Sequence, residues 1–128
     1  MRAAVLHAHG QAPRYVEHAD PVPATGTALV RVTAAPVVPL DLLCASGTSY
    51  FGAPAVPYVP GGQGVGRVER SATLPPGTRV WFPTSAGMQP GDGALAERCA
   101  VTEATLVPKI LLIVVSIPRR RWSSSVLG

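Results

Sequence analysis

Apolar and polar residues alternate along most of this chain with a period of two, the signature of half-buried strands. Arg2 to His7 reads as a first strand and Arg14-Tyr15-Val16-Glu17-His18 as a second, joined by a turn at His9-Gly10-Gln11-Ala12-Pro13. Pro21 to Gly26 is an extended loop that ends in a turn, and Thr27 to Ala35 is a longer strand with β-branched residues at alternate positions. Gly66 to Arg70, Thr78 to Phe82 and Ala94 to Val101 complete the series, with turns at Pro75-Pro76-Gly77 and Gln89-Pro90-Gly91-Asp92-Gly93. One stretch breaks the period. Pro39 suits the first turn of a short helix through Asp41-Leu42-Leu43-Cys44, which Ser46-Gly47-Thr48 ends. Tyr50 to Pro60 carries three prolines and is expected to be an ordered loop. Many short strands with one or two short helices predict a mainly β domain, a barrel or a sandwich.

At 128 residues the chain is most simply one domain with a core of its own. Apolar residues make up 47% and charged ones 14%, and the fourteen prolines and thirteen glycines follow no period, which excludes a collagen-like chain. The net charge of +4 comes largely from Arg119, Arg120 and Arg121; without them the chain is nearly neutral. Aromatics are only 5%, so the basic face with interleaved aromatics that a nucleic-acid partner needs is not present. The N-terminal residues do not read as a signal peptide. Ile110 to Val115 is far shorter than the roughly 20 apolar residues that span a bilayer, so no membrane partner is expected. Cys44 and Cys99 are expected to be free buried thiols in a cytoplasmic protein.

The densest motif is Tyr58-Val59-Pro60-Gly61-Gly62-Gln63-Gly64-Val65-Gly66-Arg67-Val68, with four glycines in a short window. A dinucleotide loop reads G-x-G-x-x-G between a strand and a helix whose N-terminus meets the pyrophosphate. Here the spacing is G-x-G-x-G, and the alternating Arg67-Val68-Glu69-Arg70 that follows opens a strand rather than a helix. The window is therefore expected to be a structural turn feeding a strand. His7 and His9 would share one face of a strand, but no pair of His or Cys has metal-ligand spacing, and no metal is expected. No carboxylates form a close pair and no nucleophile elbow occurs. Asp41 stands out among apolar neighbours in the short helix, where it either caps or bonds loop backbone or belongs to a site. Tyr50 either hydrogen-bonds a ligand or covers the edge of the core.

The order of these segments resembles the N-terminal part of medium-chain dehydrogenases/reductases, and within them the quinone oxidoreductase (zeta-crystallin-like) branch. The resemblance rests on Met1-Arg2-Ala3-Ala4-Val5, Val30 to Ala35, Pro39-Leu40-Asp41-Leu42-Leu43, Ser46-Gly47-Thr48, Val59 to Gly66, Gly77-Thr78-Arg79-Val80, Gly93 to Glu97 and Ala104 to Pro108. It covers Met1 to about Lys109 and implies a GroES-like, partly open β-barrel forming the substrate side of an NADPH-dependent reductase. Zinc-dependent relatives carry a cysteine where Val38 stands here and a His-Glu pair where Gly62 and Gln63 stand. The four-cysteine structural zinc lobe is missing as well, so the resemblance implies a zinc-free ancestry. It also implies that Asp41, Tyr50 and Gln63 lie near the substrate and nicotinamide cleft. Quinone reductases of this branch often carry Asn at the position of Val38 and Arg at that of Ala45, and this chain departs at both. Carbonyl or quinone substrates, and homodimers of the full-length relatives, are further implications.

The Rossmann domain expected after Pro108 is absent from this sequence, so no cofactor is expected to bind the chain alone. Residues 110–128 have another texture: an unbroken apolar run, three arginines, and no acidic residue. They read either as a buried last strand or as sequence from a shifted reading frame, the second being favoured. Residues 1–109 are thus expected to be a GroES-like domain of a zinc-independent NADP-dependent oxidoreductase, inactive alone. The alternative from another class is a non-enzymatic interaction module that binds a protein partner.

Overall fold

Alternation of buried and exposed positions builds the domain from strands, as the pattern predicts. The structure, a computed structural model, describes residues 1–108; the expectations for residues 109–128 lie outside them. Strands β1 (Arg2–Val5) and β2 (Arg14–Glu17) pair antiparallel as a two-stranded sheet. The remaining strands are β3 (Thr27–Ala34), β4 (Gln63–Arg70), β5 (Arg79–Pro83), β6 (Arg98–Thr102) and β7 (Val107–Pro108). They form one antiparallel sheet in the order β6-β3-β4-β5-β7. The single α-helix among the described residues, α1 (Pro39–Ser46), follows β3, and a short 3-10 turn spans Glu103–Thr105. The domain is mostly β, with open sheets and one helix, which is the partly open GroES-like architecture.

The main core lies on the inner face of the five-stranded sheet, where Val30, Val68, Val80, Phe82, Cys99 and Val101 pack together. Smaller clusters join β1 to the segment before β4 through Ala3, Val5 and Val59, and Leu6 to Tyr58 and Ala86. Both cysteines are free and buried, as expected. Burial pushes the Cys99 thiol up to about 11, with Asp92 adding to it, so this sulfur is a packing atom and not a nucleophile.

Two boundaries differ from the sequence reading. The strand placed at Gly66–Arg70 begins three residues earlier, at Gln63, so half of the glycine window is strand. Glycine weakens a strand unless something needs the room. A Cβ on Gly64 would stand 2.8 Å from the Phe82 ring and 2.9 Å from Ala94 Cβ, and one on Gly66 would collide with the Arg31 carbonyl. The second difference is that Ala94 to Val101 does not form one strand. Leu95 and Glu97 bond β1, with Ala4 N–H donating to the Leu95 carbonyl at 2.8 Å, and the chain turns to β3 at Glu97, whose carbonyl accepts the Val32 N–H at 2.9 Å, before β6 pairs with it from Arg98. One extended segment thus serves both sheets.

Candidate functional site

Helix α1 is specified locally at both ends. Pro39 occupies its first position, where no backbone donor is needed. At the other end Gly47 is left-handed (φ 78°), its N–H donates to the Cys44 carbonyl at 3.1 Å and that of Thr48 to Leu43 at 3.1 Å. That is the Schellman arrangement.

Asp41 stands at the third helical position and is 6% exposed. One of its oxygens accepts the Val38 N–H at 3.0 Å, satisfying a donor the helix start leaves orphaned. The other accepts the Gly62 N–H at 2.9 Å, 21 residues further on. The carboxylate therefore ties α1 to the glycine window, and its capping and loop-bonding role is the one the geometry displays. Of the window's other members, Gly61 (φ 116°) lies against the backbone of Ala94 and Leu95, where no Cβ has room. Its carbonyl accepts the Thr84 hydroxyl at 2.6 Å and the Ala94 N–H at 3.0 Å.

Gln63 is half-buried, and its side-chain carbonyl accepts the Trp81 indole N–H at 3.0 Å. Tyr50 is 99% exposed and meets only the Phe51 ring, edge to face, at 5.9 Å. The structure thus joins Asp41 to the window, turns the Gln63 carboxamide toward Trp81, and leaves Tyr50 in solvent.

A cavity of about 410 Å³ opens beside Asp41, walled by Val37, Leu42 and Ala45 on one side and by Gln11, Pro60 and Leu95 on the other. Its lining is almost wholly apolar. A second, of about 320 Å³, lies between the loops around Phe51–Tyr58 and Gly87–Asp92. Asp92, which the sequence marked only as part of a turn, holds the two loops together. It accepts the Val59 N–H at 3.0 Å and contacts His18 Nε2 at 2.6 Å. Tyr58 is buried, its hydroxyl has no hydrogen-bond partner among the described residues, and burial, then Cys44 and Asp41, raise its pKa. No sequence pattern announces either cavity wall, because each is assembled from segments far apart in the chain.

Around Asp41 and the glycine window the described residues show neither a set of metal ligands nor a helix-start phosphate cradle. Val38 and Gly62 offer no side-chain donor, both Asp41 oxygens are held by backbone amides, and no group of three potential ligands exists among the described residues. A phosphate cradle needs free backbone N–H groups at a helix start. The window instead gives its Gly62 N–H to Asp41 and runs into β4, which pairs with β3 and β5. No described helix is long and apolar enough to cross a membrane.

A mostly β, partly open barrel with one helix defines a GroES-like domain. The chain belongs to the family of the alcohol dehydrogenase GroES-like domain, whose pattern matches residues 24–111, and with it to the medium-chain dehydrogenases/reductases. Among solved structures it is similar to an alcohol dehydrogenase superfamily protein from Novosphingobium aromaticivorans, with 26% identity and a TM-score of 0.76. It is also similar to a probable oxidoreductase from Mycobacterium abscessus, with 26% identity and a TM-score of 0.74. A third is the quinone oxidoreductase from Thermus thermophilus, solved also in complex with NADPH, with 30% identity and a TM-score of 0.69. Each match covers 84% of this chain but only 32–34% of the other, so the chain spans about a third of the length of these proteins. No curated protein matches the chain.

Proposed function

We propose that residues 1–108 form the substrate-side domain of a zinc-independent oxidoreductase that reduces small carbonyl or quinone compounds with NADPH. The observation that carries this reading is the pair of hydrogen bonds that the Asp41 carboxylate accepts from the Val38 and Gly62 amides. Those are the positions where the zinc-dependent pattern calls for ligands, and here they are closed by backbone hydrogen bonds. The apolar cavity beside Asp41 suits an uncharged substrate, since its wall offers little to compensate a desolvated charge. NADPH is supported as the reductant by the likeness to the Thermus thermophilus enzyme. Two buried free thiols agree with a reducing, cytoplasmic setting.

Hydride transfer needs the nicotinamide held against the substrate. With the glycine window committed to the sheet, this chain supplies the substrate wall only and is inactive alone. The purified chain, incubated with NADPH and a benzoquinone or an enone, is expected to consume no NADPH, and dialysis against zinc is expected to leave no stoichiometric metal. Chain-dependent NADPH oxidation would refute the division of labour, and one tightly held zinc per chain would refute zinc independence.

A further inference from the structure

The registers of the five-stranded sheet put four arginines in one line. Arg31 of β3 lies opposite Arg98 of β6 on one side and opposite Arg67 of β4 on the other, and Arg67 lies opposite Arg79 of β5. Directly paired residues project from the same face of a sheet. Here it is the outer face, because the flanking Val30, Val68, Val80 and Cys99 are buried on the inner one. At roughly 4.8 Å between strands the row spans about 14 Å. Like charges directly opposed destabilise a sheet, and residues 1–108 carry seven arginines against seven carboxylates, so the row does not follow from a generally basic domain.

One member shows how the row is satisfied. Arg98 Nε lies 3.1 Å from both carboxylate oxygens of Glu69. The other three have no carboxylate partner among the described residues, and Arg67 donates only to the Gly77 carbonyl, at 3.3 Å. We propose that Arg31, Arg67 and Arg79 form a docking row for an acidic segment of a partner protein, each guanidinium taking a carboxylate as Arg98 takes Glu69. Arginine presents two parallel donors that match a carboxylate. Half-buried Leu29, Val65 and Trp81 on the same face give the segment an apolar floor. Residues 109–128 do not supply this segment, because they contain no Asp or Glu and bring three more arginines. A single-stranded nucleic acid is disfavoured, since it needs several stacking aromatics. Trp81 is the one aromatic on these strands' outer face, and its indole N–H is engaged by Gln63.

The test uses the full chain and a fluorescein-labelled deca-glutamate, followed by anisotropy at low salt. Replacing Arg31, Arg67 and Arg79 together by Gln is expected to weaken binding about tenfold or more. Replacing Arg119, Arg120 and Arg121 by Gln removes the same charge and is expected to cost less than about threefold. The row variant should also melt no lower than the parent, because a repulsion is removed. If it fails to fold, the three single Arg→Gln variants serve, each weakening binding by about twofold to threefold. Equal losses for the two triple variants would overturn the proposal, as would tighter binding of a thymidine decanucleotide than of deca-glutamate.

Discussion

The inner face of the five-stranded sheet and the face built by α1 and the loop after it are made from similar residues in opposite states. On the sheet, Val30, Phe82 and Val80 are at most 1% exposed, and the glycines of β4 sit where no side chain has room. On the helix and loop, Leu42, Leu43, Tyr50 and Phe51 are about half exposed or more, and a Cβ on Gly52 would meet nothing within 4 Å. Apolar residue type alone therefore does not say where the core is. What distinguishes the halves is whether the backbone brings a second layer against them. The sheet has Ala94 packed into its core, whereas α1 buries only Asp41 and Cys44 and leaves Leu42 and Leu43 outside.

The sharpest way to break this contrast is at Gly66. Its substitution by Ala drives a methyl into the backbone carbonyl of Arg31. Backbone of a paired strand cannot step aside without giving up its ladder bonds, so the expected cost is about 3 kcal/mol. Urea denaturation of the chain and of G66A measures it. A cost below about 1 kcal/mol would mean that β3 and β4 part easily and that the sheet is not the rigid half.

Next in size is Asp41. Changing it to Ala removes the acceptor for both the Val38 and the Gly62 N–H groups. The expected loss is about 2 kcal/mol, combining a lost cap and an orphaned donor. Asp41→Asn keeps one carbonyl oxygen and is expected to lose roughly half as much. Hydrogen exchange at Gly62 separates this account from a merely local helix effect: the amide should exchange faster in D41A if the carboxylate tethers the window. Unchanged exchange at Gly62 would leave α1 and the window independent.

Much of this was legible from alternation alone. β1, β2, β3 and β5 fall within a residue or two of where the period of two puts them, and Gly47 announced the helix end through its φ requirement. The start of β4 was not legible, because glycines at Gly64 and Gly66 read as a turn until Phe82 and Arg31 are seen to fill their side-chain space. Asp41 was legible as a cap from its place after Pro39, but its bond to Gly62 depends on tertiary structure. The arginine row is the clearest case of hidden information. Arg31, Arg67, Arg79 and Arg98 look unrelated in sequence, and only strand register lines them up.

The smallest expected effect belongs to Tyr50, and for that reason it tests the contrast from the other side. Its ring is 99% exposed, and its one aromatic neighbour is Phe51, itself half exposed. An edge-to-face pair adds about 0.5–1.5 kcal/mol beyond buried area, and with this ring almost wholly in solvent the low end applies. Tyr50→Ala is therefore expected to move the urea midpoint by the equivalent of less than about 0.5 kcal/mol, the ordinary range for surface positions. If Tyr50 covered the core edge instead, removing it would expose apolar surface and cost well over about 1 kcal/mol, on the order of 25 cal/mol for each Å² uncovered. A near-zero value leaves the side chain free of any folding duty.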